Sequence, residues 1–481
     1  MMKGTTNRVT SLPCMLLLLS GISSAGMVEY FTDNGFANPV ATMQHPCAEY
    51  YEGVTYIAYQ GPHEDPYVCA YDHAAQKWSG PVKAGVNPMG KTPDPVDPSE
   101  PDNHGRPAMI VDGKGYIHLV FGGHGGCWRL LGKNELGTPG KGRQTHVVSK
   151  NPRDISSWEV LDNISPFGTY SQFVKMADGD IYLFYRHGSH RSDWVYQKST
   201  DNCRTFAPPV SVLKHKIQES DRNIHDAWYA WFDNGKGDTI TASYVYHPCR
   251  ILGHTKERYN GYYMKLNCAD DSWENAGGNT LTLPITKEYA DENTLVCDTF
   301  ETKVRSKRGV CRVDDEDNPH LFFRQQGQVV YFRWLGNAWQ TPVAVPGGDG
   351  DMIVESSNVV RMLLSGKGEV CWWKTEDGGL TWNKGACLIS SPDAGYVPTA
   401  LVRNGGPAGW MVVSERTTAQ HHLYRKMFLL GDKGPVGRPE EEASHVKELL
   451  KTLEAAAPIP KNEKGQKKNR GKSEEKGDDD E

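Results

Sequence analysis

Beyond its first 26 residues, the 481-residue chain has no apolar run approaching the roughly 20 residues that a membrane-spanning helix needs. That absence argues against a helical membrane span. Periodic helical stretches are also missing until the far C-terminus, which argues against a helix bundle and against alternating strands and helices. There is no excess of positive charge: 53 Lys and Arg stand against 59 Asp and Glu, for a net charge of −6. Nucleic acid is therefore not an expected partner. No compelling pair of Asp or Glu stands in a glycine-rich setting, which counts against a retaining or inverting glycosidase.

What is present is aromatic and turn-rich. The chain has 13 Trp, 22 Tyr, 13 Phe, 50 Gly and 29 Pro. Short strand-like segments recur, such as residues 55–59, 116–121, 181–185, 239–244, 320–323 and 409–413. Several follow a turn signal: Asp112-Gly113-Lys114-Gly115, Asp178-Gly179-Asp180 and Asn234-Gly235-Lys236-Gly237. Each such turn is expected to feed an inner strand. Lys374-Thr375-Glu376-Asp377-Gly378-Gly379-Leu380-Thr381-Trp382 resembles the Asp-box turn of sialidase-type propellers, and residues 199–206 look like a degraded copy. The spacing of these landmarks suits about six to eight four-stranded blades. The expected fold is all-β, a seven-bladed β-propeller over residues 27–435.

Residues 1–26 read as a signal peptide, with Lys3 and Arg8 before the apolar run Leu12 to Leu19 and small residues at 23–26. The protein is expected to be secreted or periplasmic and monomeric. Of 11 Cys, Cys14 would leave with the leader, and the others would sit where disulfides can form. Residues 436–481 are expected to be a charged tail, with a short helix over 440–456 and disorder beyond Pro460.

Two glycine-flanked histidines stand out: Asn103-His104-Gly105-Arg106-Pro107 and Gly122-Gly123-His124-Gly125-Gly126. Glycine lets the backbone approach a ligand closely, and a near-neutral imidazole can exchange protons. The layout repeats in Tyr170, a strand, then Tyr185-Arg186-His187-Gly188-Ser189-His190-Arg191. Arg186 offers a fork of donors suited to a carboxylate or sulfate, and His190 and Arg191 extend a local basic patch. Trp228, Trp231 and Phe232 read as blade core, while Tyr229 would face the channel. His247-Pro248-Cys249 followed by Cys268 reads as the start of a tetrahedral zinc site, with His190 as fourth ligand and His225 or His254 as alternatives. Calcium is the alternative ion, and a Cys249–Cys268 disulfide is the other reading of the pair.

Taken together, the segments Asn-His-Gly-Arg-Pro, Phe-Gly-Gly-His-Gly and Tyr-Arg-His-Gly, in this order and spacing over roughly residues 30–430, resemble the BNR-repeat ulvan lyases of polysaccharide lyase families 24 and 25. The resemblance implies β-elimination on an anionic, uronate-containing polysaccharide. His104 and His124 would flank the scissile uronic acid, Tyr170 would be the partner in proton transfer, and Arg186 would neutralise the carboxylate. It also implies that His190, Tyr229 and the zinc-type cluster of His247, Cys249 and Cys268 support the pocket. A sialidase-like glycosidase would need three separated Arg and a Tyr-Glu nucleophile, a set that does not assemble here. A non-catalytic glycan-binding propeller would leave the two His without a task.

Overall fold

The structure is a computed structural model that describes residues 1, 26–89, 101–123, 132–138, 140, 142–252, 256–416 and 423–446. Its architecture is an all-β propeller. Apart from one parallel pair, Glu49 with Arg403, neighbouring strands pair antiparallel, giving among the described residues four four-stranded sheets, one of seven strands, one of nine and a two-stranded pair. One line of strands surrounds a central channel. It runs from Ala48–Tyr51 through Ala108–Val111, Thr169–Lys175, Ile224–Asn234, Ser306–Val313, Asp349–Val354 and Gly395–Gly406, each touching the next, and back to Ala48–Tyr51.

Strands such as Ala108–Val111 and Ile181–Arg186 are buried at every position. Each sheet is covered on both faces by its neighbours, so continuous apolar or aromatic runs are needed rather than alternation. Flat rings suit that gap between sheets: Phe184 stacks on Phe232 with centroids 4.0 Å apart.

The turn signals form as expected. Asp112 Oδ1 accepts the backbone N–H groups of Lys114 and Tyr116, both at 2.8 Å. Their position corrects one expectation, because the channel-side strand precedes each turn and the strand after it lies one place further out. Both Asp-box turns make the same hydrogen bonds. Thr381 donates to Asp377 (2.6 Å) and Thr205 to Asp201 (2.7 Å), while Thr375 and Ser199 donate to the same two carboxylates. The turn at 199–206 therefore keeps its geometry without the Gly-Gly and Trp of the other.

The first and last described strands meet. Thr32–Phe36 adds to Tyr424–Gly431, and Met27–Val28 pairs with Arg438–Pro439. The segment after 435 is thus tied to the propeller: the His445 backbone N–H donates to Asp33 (2.7 Å). Of the helix expected over 440–456, Glu440–Ala443 forms. The remainder from 447, together with the leader at 2–25, lies outside the described residues. Among the described residues a disulfide joins Cys371 to Cys387, and Cys249 and Cys268 are not joined.

Towards the end of the channel remote from Tyr170, Arg312 bridges three strands. It donates to Asp233 (2.7 Å) and, in a two-pronged contact, to Asp351 (2.7 and 2.9 Å). Asp351 also accepts the Leu401 N–H at 2.8 Å. Burial opposes ionisation of Asp233, but the charges of Arg312, His45 and Arg403 override it and hold that carboxyl below its usual range. Arg312→Ala would leave two enclosed carboxylates facing each other. The expected loss is ~3 kcal/mol, read by denaturant unfolding. Asp233→Asn in that background should restore part of it, and no loss in the single variant would remove this role from Arg312.

Candidate active site

The strand Thr169–Lys175 begins with a bulge: its pairing with Ile181–Arg186 shifts register between Thr169 and Gln172. Tyr170 sits in that bulge with φ +62°, a left-handed conformation that a bulky residue adopts only under constraint. Its ring, 1% exposed, is turned toward the channel mouth and lies 5.5 Å from the His104 ring. Tyr170 was expected here, but no sequence signal marked the bulge that aims it.

His104 lies in the short 3-10 turn Asn103–Gly105. Asp102 caps this turn by accepting the His104 backbone N–H (2.9 Å) and also accepts from His104 Nδ1 (2.5 Å). A proton held on Nδ1 leaves Nε2 as the basic nitrogen. Asp102 was missed in the sequence, although an acid two positions before a glycine-flanked His is a readable signal. His124 lies outside the described residues. Gly123 just before it has φ +102°, and a Cβ there would come within 1.8 Å of the Gly168 carbonyl. Only glycine fits at that crossing.

Arg186 ends the neighbouring strand opposite Thr169 and is fully buried. Its guanidinium carbon is 4.7 Å from the Tyr170 ring centre and 5.3 Å from that of Tyr229. None of its three side-chain nitrogens has a hydrogen-bond partner. A buried guanidinium flanked by ring faces and without a carboxylate is a strong anion receptor. Arg258, which no sequence pattern pointed to, lies 4.1 Å from the same Tyr229 ring centre and adds a second cation.

Tyr229 faces this site as expected, while Trp228 packs in the blade core. Trp231 is core as expected, buried in a cluster with Val310, Phe322 and Met352. Strand alternation puts it on the Tyr229 side, where it stacks on His45 at 3.7 Å.

His190, His247 and Cys249 come together, with donor atoms all within 4.8 Å of one another. His247 and Cys249 share one face of the strand Thr239–Arg250. The His247 Nδ1 contacts the Glu257 carbonyl, which orients the imidazole. Burial raises the Cys249 thiol above its usual range against the pull of Arg191, Arg186 and Arg258. Imidazole and thiol donors at this spacing suit zinc better than calcium, which takes oxygen ligands.

Cys268 must be removed from the set. It follows the strand Tyr259–Asn267, whose Asn267 pairs with Thr239, so it lies at the opposite end of the sheet from Cys249. His254 lies outside the described residues. His225 pairs with Cys249 in the ladder, but its Nδ1 is engaged by His215 at 2.8 Å. Arg191 turns toward the Arg250 carbonyl, beside this cluster rather than over the Tyr170 ring.

Residues 54–344 match a family model described as a BNR repeat-containing family member. An ulvan lyase from Nonlabens ulvanivorans is 44% identical over 445 residues, covering 86% of this chain and 92% of the relative. An ulvan lyase from Alteromonas sp. (strain LOR) is 41% identical, covering 85% and 88%. A solved ulvan lyase of polysaccharide lyase family 25, bound to -[GlcA(1-4)Rha3S]-, superposes with a TM-score of 0.78 at 39% identity, over 90% of this chain and all of that one.

Replacing Arg186 by Met removes an uncompensated buried charge while keeping the volume. The variant should melt at or above the wild-type temperature, yet lose at least about tenfold in affinity for a uronate-bearing oligosaccharide. Thermal unfolding and calorimetric titration read the two effects. Unchanged affinity would show that Arg186 is not the anion receptor.

Proposed function

The chain belongs to the ulvan lyases of the BNR-repeat type, and from that premise we propose that the mouth of the channel around Arg186 is the active centre at which it cleaves ulvan. It is a polysaccharide lyase, and its reaction is β-elimination. The C5–H bond of the uronate breaks, the electron pair forms the C4=C5 double bond, and the C4–O4 bond breaks as O4 takes up a proton. No water is consumed.

The observation that carries the assignment is the buried Arg186 guanidinium, held between two tyrosine rings with no internal acceptor. In our reading it takes the uronate carboxylate and stabilises the negative charge that spreads there as C5 loses its proton. Arg258 reinforces that field, and Tyr229 packs beside the sugar. His104 and Tyr170, 5.5 Å apart, form the proton-transfer pair. His104 presents Nε2, because Asp102 holds the proton on Nδ1. His124 supplies the second imidazole. His190 borders the pocket beside His104.

His190, His247 and Cys249 would hold a zinc ion whose contribution is structural, fixing the loop that follows Arg186 to the strand Thr239–Arg250. We also read the fold as seven-bladed, taking the nine-stranded sheet as two units joined at the single parallel pair Glu49 and Arg403. No helix among the described residues is long and apolar enough to cross a membrane. We take the protein to act as a secreted monomer on extracellular polymer.

The ultraviolet absorbance of the unsaturated uronide tests the reaction. Wild type should produce it on ulvan. His104→Ala and Tyr170→Phe should each lower kcat by about 10²- to 10⁴-fold, and an unchanged kcat in either would remove that residue from the proton-transfer pair. The metal site is checked by elemental analysis of purified protein. About one zinc per chain is expected, lost in His247→Ala and Cys249→Ser and kept in Cys268→Ser. Zinc-free wild type, or full zinc in Cys249→Ser, would overturn the site.

A further inference from the structure

A cavity of about 590 Å³ opens beside the segment that carries His104. That volume is in the range of small-molecule binding pockets. One wall is the segment that carries His104: Arg106 lines the cavity, and so does Asn38, whose backbone N–H donates to Asn103 at 3.1 Å. The far wall comes from three other sheets of the ring and includes Arg324, Lys367, Tyr396 and Arg416.

The charge balance of this cavity is uneven. Its carboxylates are Asp349 and Glu369. Glu369 is paired with Lys384 at 2.5 Å. Asp349 is shared, since Arg308 holds it in close contact and Arg324 reaches it only at 3.5 Å. The Arg106 guanidinium is directed to Gln44 and to the Asn38 carbonyl. Arg324 has capacity to spare: its Nε is buried without a hydrogen-bond partner, and its side chain is 20% exposed. Five glycines on the rim (327, 347, 348, 366 and 395) leave backbone accessible to a sugar, with the Tyr396 ring beside them.

We propose that this cavity is a distal subsite for the same polymer, in which Arg324 binds an oxyanion, a sulfate ester or a carboxylate, on a sugar removed from the scissile bond. It rests on the lyase reading given above. Arg324 is a specificity-determining residue here and touches no reacting atom. An anionic polymer anchored in this cavity is held across the channel mouth, so the uronate at Arg186 is presented at a raised local concentration.

Steady-state cleavage by wild type, Arg324→Gln and Arg324→Lys, on ulvan and on the shortest oligosaccharide the enzyme cleaves, tests the subsite. Arg324→Gln should raise KM for the polymer about tenfold with kcat unchanged, and should leave the short substrate within about twofold. Arg324→Lys, which keeps the charge, should recover part of the polymer affinity. Equal KM changes on both substrates, or none, would overturn the proposal. Desulfated ulvan separates the two anions: an Arg324 effect that vanishes points to sulfate, and one that persists points to carboxylate. Calorimetric binding of intact ulvan to the same proteins keeps the two readings apart. If wild type binds but releases no unsaturated product, the lyase reading fails, while the subsite stands or falls on whether Arg324→Gln binds more weakly.

Discussion

The channel is organised around one charged contact, Arg312 held between Asp233 and Asp351. A propeller has no core at its axis, so the strands around the channel need something other than apolar packing to fix their spacing. Here a single guanidinium, matched by two carboxylates, fixes three of them. Asp233 lies on the same strand as Tyr229, four positions away. A second clamp ties that strand to the one carrying Tyr170. Gln172 donates to the Ala230 carbonyl (2.8 Å) and accepts the Phe232 N–H (2.9 Å). The tyrosines on either side of Arg186 thus inherit their separation from contacts deeper in the channel.

Two arginines facing the channel differ in how their charge is met, Arg312 partly exposed and Arg186 fully buried. Arg312 has both terminal nitrogens bonded to carboxylates, and its charge is matched within the protein. Arg186 is more deeply enclosed and has no internal acceptor, which is unfavourable in the folded protein unless an anion supplies one. Tyr170 carries a second such cost in its left-handed backbone. Both sit at the mouth, on a scaffold firm enough to hold them there.

The all-β class, the turns and the Asp boxes were legible because they rest on local chemistry: aspartate side chains satisfying backbone N–H groups two to four residues on. The order of His104, Tyr170 and Arg186 was legible through its resemblance to a family. Other features depended on contacts that no local pattern carries. The Tyr170 bulge is set by register with the next strand. Arg258 reaches Tyr229 from another part of its sheet. The inner and outer order of strands depends on which one faces its counterpart in the neighbouring sheet. Cys268 was misplaced for a related reason: a separation of some twenty residues suggests proximity, whereas a long hairpin sends the two ends to opposite edges.

The joining of the first and last described strands bears on how the protein comes to exist at all. Tyr30 meets Ser444 across 414 positions of sequence, and the strand Thr32–Phe36 finds its partner only in Tyr424–Gly431. Contacts this distant give little reward until a very large loop has closed, so folding must wait for them. Until the last strand has been made, the first has no sheet to join and the ring stays open on that side. The arrival of the C-terminal residues is then a timing signal, the moment at which a row of sheets becomes a channel with a mouth.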